Sequence, residues 1–281
     1  SYAYLPSAWR KARHWMQRAD RLQPNVLYLT FDDGPDPEST PILLDLLAKY
    51  QVHATFFVVA NSAQKYPELI HRMQAEGHHI GFHSNAHHSA YLMPPTKTKR
   101  DFQEGLSALH SAGVSSKLFR PPWGVVNWES LRQIRKNKLQ TVLWDIMAQD
   151  WQANISAEEI ARRLDARTWP GAVICLHDGR GAPGATLRTI QALHIQLPRW
   201  REAGFIFLTL EERTIPRLSW KEGLFCVFLF AGLLALTAFL FLKDQDLGQL
   251  LRVLRQAHVP WLIVGGSCMV FFFCCEALNI Q

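Results

Sequence analysis

Short runs of β-branched and aromatic residues alternate along most of the chain with stretches whose apolar side chains recur at helical spacing. No other feature constrains the fold as tightly. Residues 26–31 (Val-Leu-Tyr-Leu-Thr-Phe) read as a buried strand that ends in a polar loop. Ser39 or Thr40 is placed to cap a helix with Pro41 in its first turn and Leu43, Leu46 and Leu47 turned inward. Residues 55–59 read as a second strand, 67–76 as a helix that Gly77 terminates, and 79–82 as a third strand. The pattern continues with a helix over 99–110, a strand leading to Phe119, a helix over 129–138 and a strand over 141–144. Ser156 and Glu159 have the spacing of a capping box that opens a helix through Leu164. Residues 172–176 and 205–209 are the last strands, separated by a helix over 187–202. Such alternation predicts an α/β fold with a parallel sheet, long enough for a closed or partly closed β/α barrel whose active residues sit where strands end.

The rest of the chain has a different composition. Hydrophobic residues make up 48% and charged residues 19% of the 281 residues, but residues 223–242 carry no charge at all. A run of that length is about what a bilayer-crossing helix needs, roughly 20 apolar residues. A second apolar stretch, residues 259–275, is shorter and opens near Pro260 and Trp261; it reads as a thin span or an interfacial or buried segment. The organisation expected is a basic N-terminal segment (1–23), a catalytic domain (24–212), a linker (213–222) and a membrane segment with one or two transmembrane helices (223–281). The sequence opens on Ser1 and is expected to be a piece of a longer one at either end.

Net charge is +6, with basic residues concentrated at Arg10, Lys11, Arg13, Arg18 and Arg21 and again at Arg213, Arg217 and Lys221. Basic residues beside membrane segments meet anionic lipid, so membrane lipid is an expected partner. Nothing interleaves aromatic with basic residues in the manner of a nucleic-acid surface, and no nucleic-acid partner is expected. Four of the five cysteines fall in the apolar runs and only Cys175 lies before them, which rules out a disulfide within the first domain.

Three constellations carry chemistry. In Thr30-Phe31-Asp32-Asp33-Gly34-Pro35 two adjacent carboxylates follow a strand, a repulsive arrangement unless a cation held by one divides their labour. The same residues also read as a helix-capping turn. His83-Ser84-Asn85-Ala86-His87 sets two imidazoles four apart, able to share a metal; it also reads as a polar loop in a histidine-rich stretch. His177 closes an apolar strand, placed as a general acid or base, or simply as a satisfied strand-end residue. Together, one Asp and two His make an open ligand set, with a spare Asp to deprotonate water and a separate His to protonate a leaving amine.

At this point the sequence resembles the polysaccharide deacetylases with the NodB-homology domain, also called carbohydrate esterase family four. Five motifs occur in order: Thr30-Phe31-Asp32-Asp33, His83-Ser84-Asn85-Ala86-His87, Arg120-Pro121-Pro122-Trp123-Gly124, Asp150-Trp151 and Ile174-Cys175-Leu176-His177. The resemblance covers roughly residues 24–212. It implies a distorted, partly closed parallel β/α barrel, with Asp32 as catalytic base and Asp33, His83 and His87 as metal ligands. It further implies Arg120 holding the base, Asp150 tuning His177 as general acid, and the Trp123 amide stabilising the oxyanion. Pro121, Trp123, Trp151 and Leu176 are implied to contact substrate, Leu176 in the acyl pocket.

The activity implied is metal-dependent removal of N-acetyl groups from amino sugars. Zn²⁺ is the expected cofactor, and Co²⁺ an allowed substitute. The substrate is expected to be a carbohydrate or a lipid-linked amino sugar, with the enzyme at a membrane and its catalytic domain outside the cytoplasm. A deformylase, an O-acetyl esterase or a non-catalytic sugar-binding domain would use the same scaffold. From Trp220 onward, Lys243-Asp244-Gln245-Asp246, the leucines at 250, 251 and 254, and Val259-Pro260-Trp261-Leu262 resemble the start of the multi-span region of lysylphosphatidylglycerol-synthase-like proteins. That resemblance would make the domain accessory to a larger membrane protein; a plain anchor is the alternative.

Overall fold

The chain divides into two compact units, Ser1–Arg213 and Thr214–Gln281. The computed structural model describes residues 25–213 and, in the second unit, Gly232 alone. The basic N-terminal segment, the linker beyond Arg213 and both apolar runs therefore lie outside the described residues, Gly232 apart. Among the described residues no helix is long and apolar enough to cross a membrane.

Among the described residues eight strands all run parallel: β1 (Val26–Asp32), β2 (Thr55–Val58), β3 (His79–Phe82), β4 (Leu118–Phe119), β5 (Gln140–Thr141), β6 (Ile146–Met147), β7 (Val173–His177) and β8 (Ile206–Phe207). Their order is β5-β4-β3-β2-β1-β7-β6, with β8 paired to the start of β1. The helices are α1 (Thr40–Lys49), α2 (Ala60–Lys65), α3 (Pro67–Ala75), α4 (Pro95–Ser111), α5 (Trp128–Lys136), α6 (Ala157–Arg167) and α7 (Ala185–Glu202). The sheet's two end strands, β5 and β6, are joined by residues 142–145 alone, so the sheet curls into an irregular, partly closed barrel.

All seven residues of β1 are buried, and they alternate between two cores. Leu27, Leu29 and Phe31 join the large cluster that the helices cover, with Leu44, Leu47, Ile70 and Leu193. Val26 and Tyr28 face a smaller interior cluster with Phe57, Trp144, Val173 and Cys175. Continuing that inner face, Thr30 and Asp32 come out at the C-terminal ends of the strands.

Local details depart from the sequence expectations for identifiable reasons. The expected strand over 141–144 pairs regularly only through Thr141. Past it, the carbonyls of Val142 and Leu143 accept from the buried Arg120 guanidinium in place of a neighbouring strand. The helix expected to open under Ser39 is indeed preceded by it, but Asp36 does the capping: its Oδ1 accepts from the Glu38 and Ser39 amides and the Ser39 hydroxyl. Ser156 accepts from the Glu159 amide at 3.2 Å, half of the expected box. Glu159 itself turns to Arg162 and Arg163, and a reciprocal box forms instead between Thr209 and Glu212. Gly77 ends α3 with φ +81°, a left-handed conformation that glycine adopts without steric cost.

Candidate active site

Asp32 is the last residue of β1 and Asp33 the first of the loop after it. The strand direction carries Asp32 into the interior, where it is 3% exposed. Arg120, fully buried just past β4, donates through Nη1 to Asp32 Oδ1 at 2.7 Å and to Thr30 Oγ1 at 2.7 Å. Its guanidinium lies over the Phe57 ring at 4.1 Å, and it donates Nε–H to Val142 O. A buried guanidinium is tolerable only when its donors and charge are satisfied in this way. The result is a dry ion pair that holds the Asp32 carboxylate in one orientation, its other oxygen turned toward the Cys175 thiol at 3.4 Å.

Asp33 takes positive φ (79°) and turns its carboxylate the other way, toward His83 and His87. Its Oδ1 lies 2.9 Å from His87 Nε2 and 3.4 Å from His83 Nε2. Burial would push this carboxyl's pKa up, but the two imidazoles, with a Coulomb contribution from His177, outweigh burial and hold it far below the ordinary range. Ligand atoms of the three residues all lie within 4.8 Å of one another.

The donor chemistry fits a cation. His83 donates Nδ1–H to the Arg120 carbonyl at 2.7 Å, which leaves its Nε2 as a lone pair facing Asp33. Asp33 Oδ1 is buried without a directed hydrogen bond, although two imidazole nitrogens crowd it. A carboxylate oxygen facing two imidazole nitrogens, one of them left with its lone pair, is the donor chemistry an Asp/His/His ligand set requires.

The opposite flank is built on β7. His177 donates Nδ1–H to Asp150 Oδ1 at 2.9 Å, while its backbone amide and the Thr189 hydroxyl both donate to Asp150 Oδ2. Burial lowers the His177 pKa; the charge and hydrogen bond of Asp150, with Asp33 and Asp32 beyond, win and raise it to about 9. The imidazole therefore carries its proton at neutral pH. Trp151 packs edge-on against it, ring centroids 5.2 Å apart. Trp123, at φ 54° in a 3-10 turn that follows the buried Pro121, sets its half-exposed ring 4.4 Å from His87.

Ten of the eleven residues expected at the site thus converge at the strand ends, either lining it or, like Pro121, shaping the turn beside it. Leu176 does not. It is fully buried in the helix-covered cluster, because side chains along β7 alternate and the residue next to His177 must face away from it. The residue two before His177 faces the same way as His177. That residue is Cys175, which sequence reading passed over; its thiol sits near Asp32 and His177, and burial together with Asp32 pushes its pKa well up.

Other supports were also missed. Asp101 on α4 accepts from the Ser84 hydroxyl and the Asn85 and Ala86 amides, which holds the loop between His83 and His87. Asp178 accepts from the Gly34 amide and the Thr40 hydroxyl, and so anchors the turn that carries Asp33. Burial raises its pKa to about 7 against the pull of Thr40. A Cβ at Gly34 would overlap this carboxylate, so the glycine permits the approach. Only the strand-end position of Asp178 hinted at that role.

Comparison with known proteins agrees with this geometry. The family described as Polysaccharide deacetylase matches residues 19–142. Peptidoglycan-N-acetylglucosamine deacetylase of Bacillus cereus is 34% identical over 189 residues, 66% of this chain and 87% of that protein. The chain belongs to the polysaccharide deacetylase family. It is accordingly a hydrolase acting on carbon–nitrogen bonds other than peptide bonds. Chitooligosaccharide deacetylase of a Bradyrhizobium species is 35% identical over 189 residues, covering 64% of this chain and 86% of that one. Among solved structures, the peptidoglycan deacetylase PdaC of Bacillus subtilis superposes with a TM-score of 0.61 at 30% identity, over 68% of this chain and 90% of that one. Deacetylases of this family use a divalent metal, and Asp33, His83 and His87 are the candidate site for it here.

Proposed function

We propose that the chain removes N-acetyl groups from amino sugars of an envelope glycan, with Asp32 as general base, His177 as general acid and Asp33, His83 and His87 as metal ligands. One observation carries this reading: beside the Asp/His/His set stand a carboxylate paired to a buried arginine and an imidazole paired to a buried carboxylate. When bound, the metal, Zn²⁺ by the preference of an imidazole-rich set, supplies Lewis acidity toward the acyl carbonyl and acidifies water.

The chain's own groups supply the rest. Asp32, oriented by Arg120, takes a proton from the attacking water. The Trp123 backbone amide donates to the oxygen on which negative charge develops. His177 hands its Nε2 proton to the departing nitrogen, so that amide and water become free amine and acetate. Trp123 stands against His87 and Trp151 against His177, and Cys175 rather than Leu176 faces Asp32 and His177.

The relatives are named for peptidoglycan and chito-oligosaccharides, which supports an amino-sugar polymer as substrate. The charge-free run at 223–242 supports attachment to a membrane, and a peptidoglycan-like substrate supports a catalytic domain outside the cytoplasm. A lipid-linked amino sugar is the substrate that would combine both features.

The test is acetate release from N-acetylated chito-oligosaccharides, peptidoglycan fragments and lipid-linked amino sugars, with chelator and then with Zn²⁺ restored. Release abolished by chelator and recovered with metal is expected, and His83→Ala should lose both metal and turnover. Chelator-insensitive release would overturn the metal assignment. Release of formate, or release only from O-acetylated sugars, would replace the N-deacetylase reading.

A further inference from the structure

Seven large apolar side chains are exposed among the described residues, and the three most exposed, which have no part in the site, lie on two segments tied to each other: Tyr91 (77% exposed), Leu92 (86%) and Trp128 (74%). They are held there. The Asn127 side-chain amide donates to the carbonyls of Ala90 (3.0 Å) and Met93 (3.3 Å) and to Thr98 Oγ1 (2.9 Å), which ties the loop to the start of α5. Leu92 closes a turn onto the Ser89 carbonyl at 3.1 Å. The loop begins directly after His87, and α5 starts just past Trp123, so both segments lead directly out of site residues.

The ridge continues into a basic face. Trp128, Leu131, Arg132 and Arg135, at i, i+3, i+4 and i+7 of α5, line one shallow concavity of about 150 Å³. On α4 and α5 the exposed charges are Lys97, Lys99, Arg100, Arg132, Arg135 and Lys136 against a single exposed carboxylate, Glu104, itself paired to Arg100. Asp101 and Glu129 are buried.

We infer that this ridge and the exposed face of α5 dock onto an anionic lipid bilayer. Trp and Tyr suit the headgroup level, a protruding leucine suits the layer beneath, and arginines and lysines suit anionic headgroups. An uncharged glycan such as a chito-oligosaccharide fits less well: sugars stack on flat rings, whereas the most exposed side chain here is Leu92, and a neutral sugar has no counterpart for the basic rim. The purpose of docking rests on the proposed function, since it would bring the deacetylase site near membrane-bound amino sugar; the docking itself does not.

The experiment uses residues 25–213, which contain the complete described sheet and both core clusters and align with nearly the whole of a relative solved as a separate chain. Omitting residues 1–24 also removes the basic N-terminal segment as a competing source of lipid binding. Co-sedimentation is measured with vesicles of phosphatidylglycerol and phosphatidylcholine, and with phosphatidylcholine alone. Binding to the anionic vesicles is expected, weakened by salt. The triple variant Tyr91→Ser, Leu92→Ser, Trp128→Ser should bind at least tenfold more weakly with an unchanged melting temperature, and Leu92→Ser alone several-fold more weakly. Arg132→Gln with Arg135→Gln should weaken binding and flatten its salt dependence. Turnover of soluble chito-oligosaccharide should be unaffected in all of them.

Equal binding to both vesicle types, or wild-type binding by the triple variant, would overturn the inference. So would a triple variant that sediments normally but shows a raised KM for oligosaccharide, an outcome that assigns the ridge to the glycan. Loss of sedimentation in the triple variant supports docking even if the domain proves inactive on every acetylated sugar, a result that would count against the proposed function alone.

Discussion

The two flanks of the site solve the same positioning problem with opposite charge. On the Asp32 side a carboxylate is held by a cation, Arg120, sealed under Phe57 and fully buried. On the His177 side an imidazole is held by an anion, Asp150, whose remaining acceptor capacity is filled by the His177 amide and Thr189. Each partner stabilises the charge state that the proposed role of its flank requires, a proton acceptor on one side and a proton donor on the other. On the proposed mechanism, acid and base chemistry can then run side by side at one pH, because the buried partners differ in sign.

The comparison can be broken most sharply at Asp32. Asp32→Asn keeps the shape and removes the acceptor, so kcat should fall about a thousandfold while metal content, read by elemental analysis, stays stoichiometric. Retained turnover would mean that the base lies elsewhere. Arg120→Leu should act next, through stability as well as rate. It leaves Asp32 buried without its cation and should cost about 3–5 kcal/mol in denaturant unfolding. Arg120→Lys should recover part of that, but not the orientation that depends on a planar fork.

Asp150→Asn tests the opposite flank. His177 stands at about 9 chiefly because Asp150 outweighs burial, so the alkaline limb of kcat/KM should move to lower pH in the variant. The sign for stability is the same. The folded pKa is raised above the ordinary value near 6.5, so this stabilisation is fully present below about 6.5 and is lost as pH rises through about 9. Unfolding measured across that window should show the wild type losing more stability than Asp150→Asn. An unmoved alkaline limb would assign it to another group.

The smallest effect is expected at Thr189→Val, which deletes one hydroxyl bonded to Asp150. It should cost about 1 kcal/mol of stability and reduce kcat/KM a few-fold with KM unchanged. An effect as large as that of Asp150→Asn would show that the acid flank depends on all its donors together.

Much of this was legible in the chain. Asp32 and Asp33 are adjacent in sequence, and His83 and His87 share a turn, so local spacing brings each pair together before any tertiary contact forms. Arg120, Asp150 and His177 sit at or just beyond ends of strands or strand-like segments, where a parallel sheet gathers side chains. The misplacement of Leu176 was avoidable in principle: the period of two along a strand puts Cys175, not its neighbour, on the face of His177.

The sequence by itself determined the alternating α/β architecture, the paired carboxylates and histidines, and hence the reaction class, because those depend on near neighbours and on periodicity. Tertiary structure decided which carboxylate faces the arginine and which faces the imidazoles, a choice made by the positive φ of Asp33 and by Arg120 reaching across from β4. It also decided that Asp101, Asp178 and Thr189 serve the site. Their hydrogen bonds to the site's loops and side chains span from 15 to 144 residues of chain. No local pattern encodes a partner at that separation; only the packing of helices against the curled sheet brings it within reach.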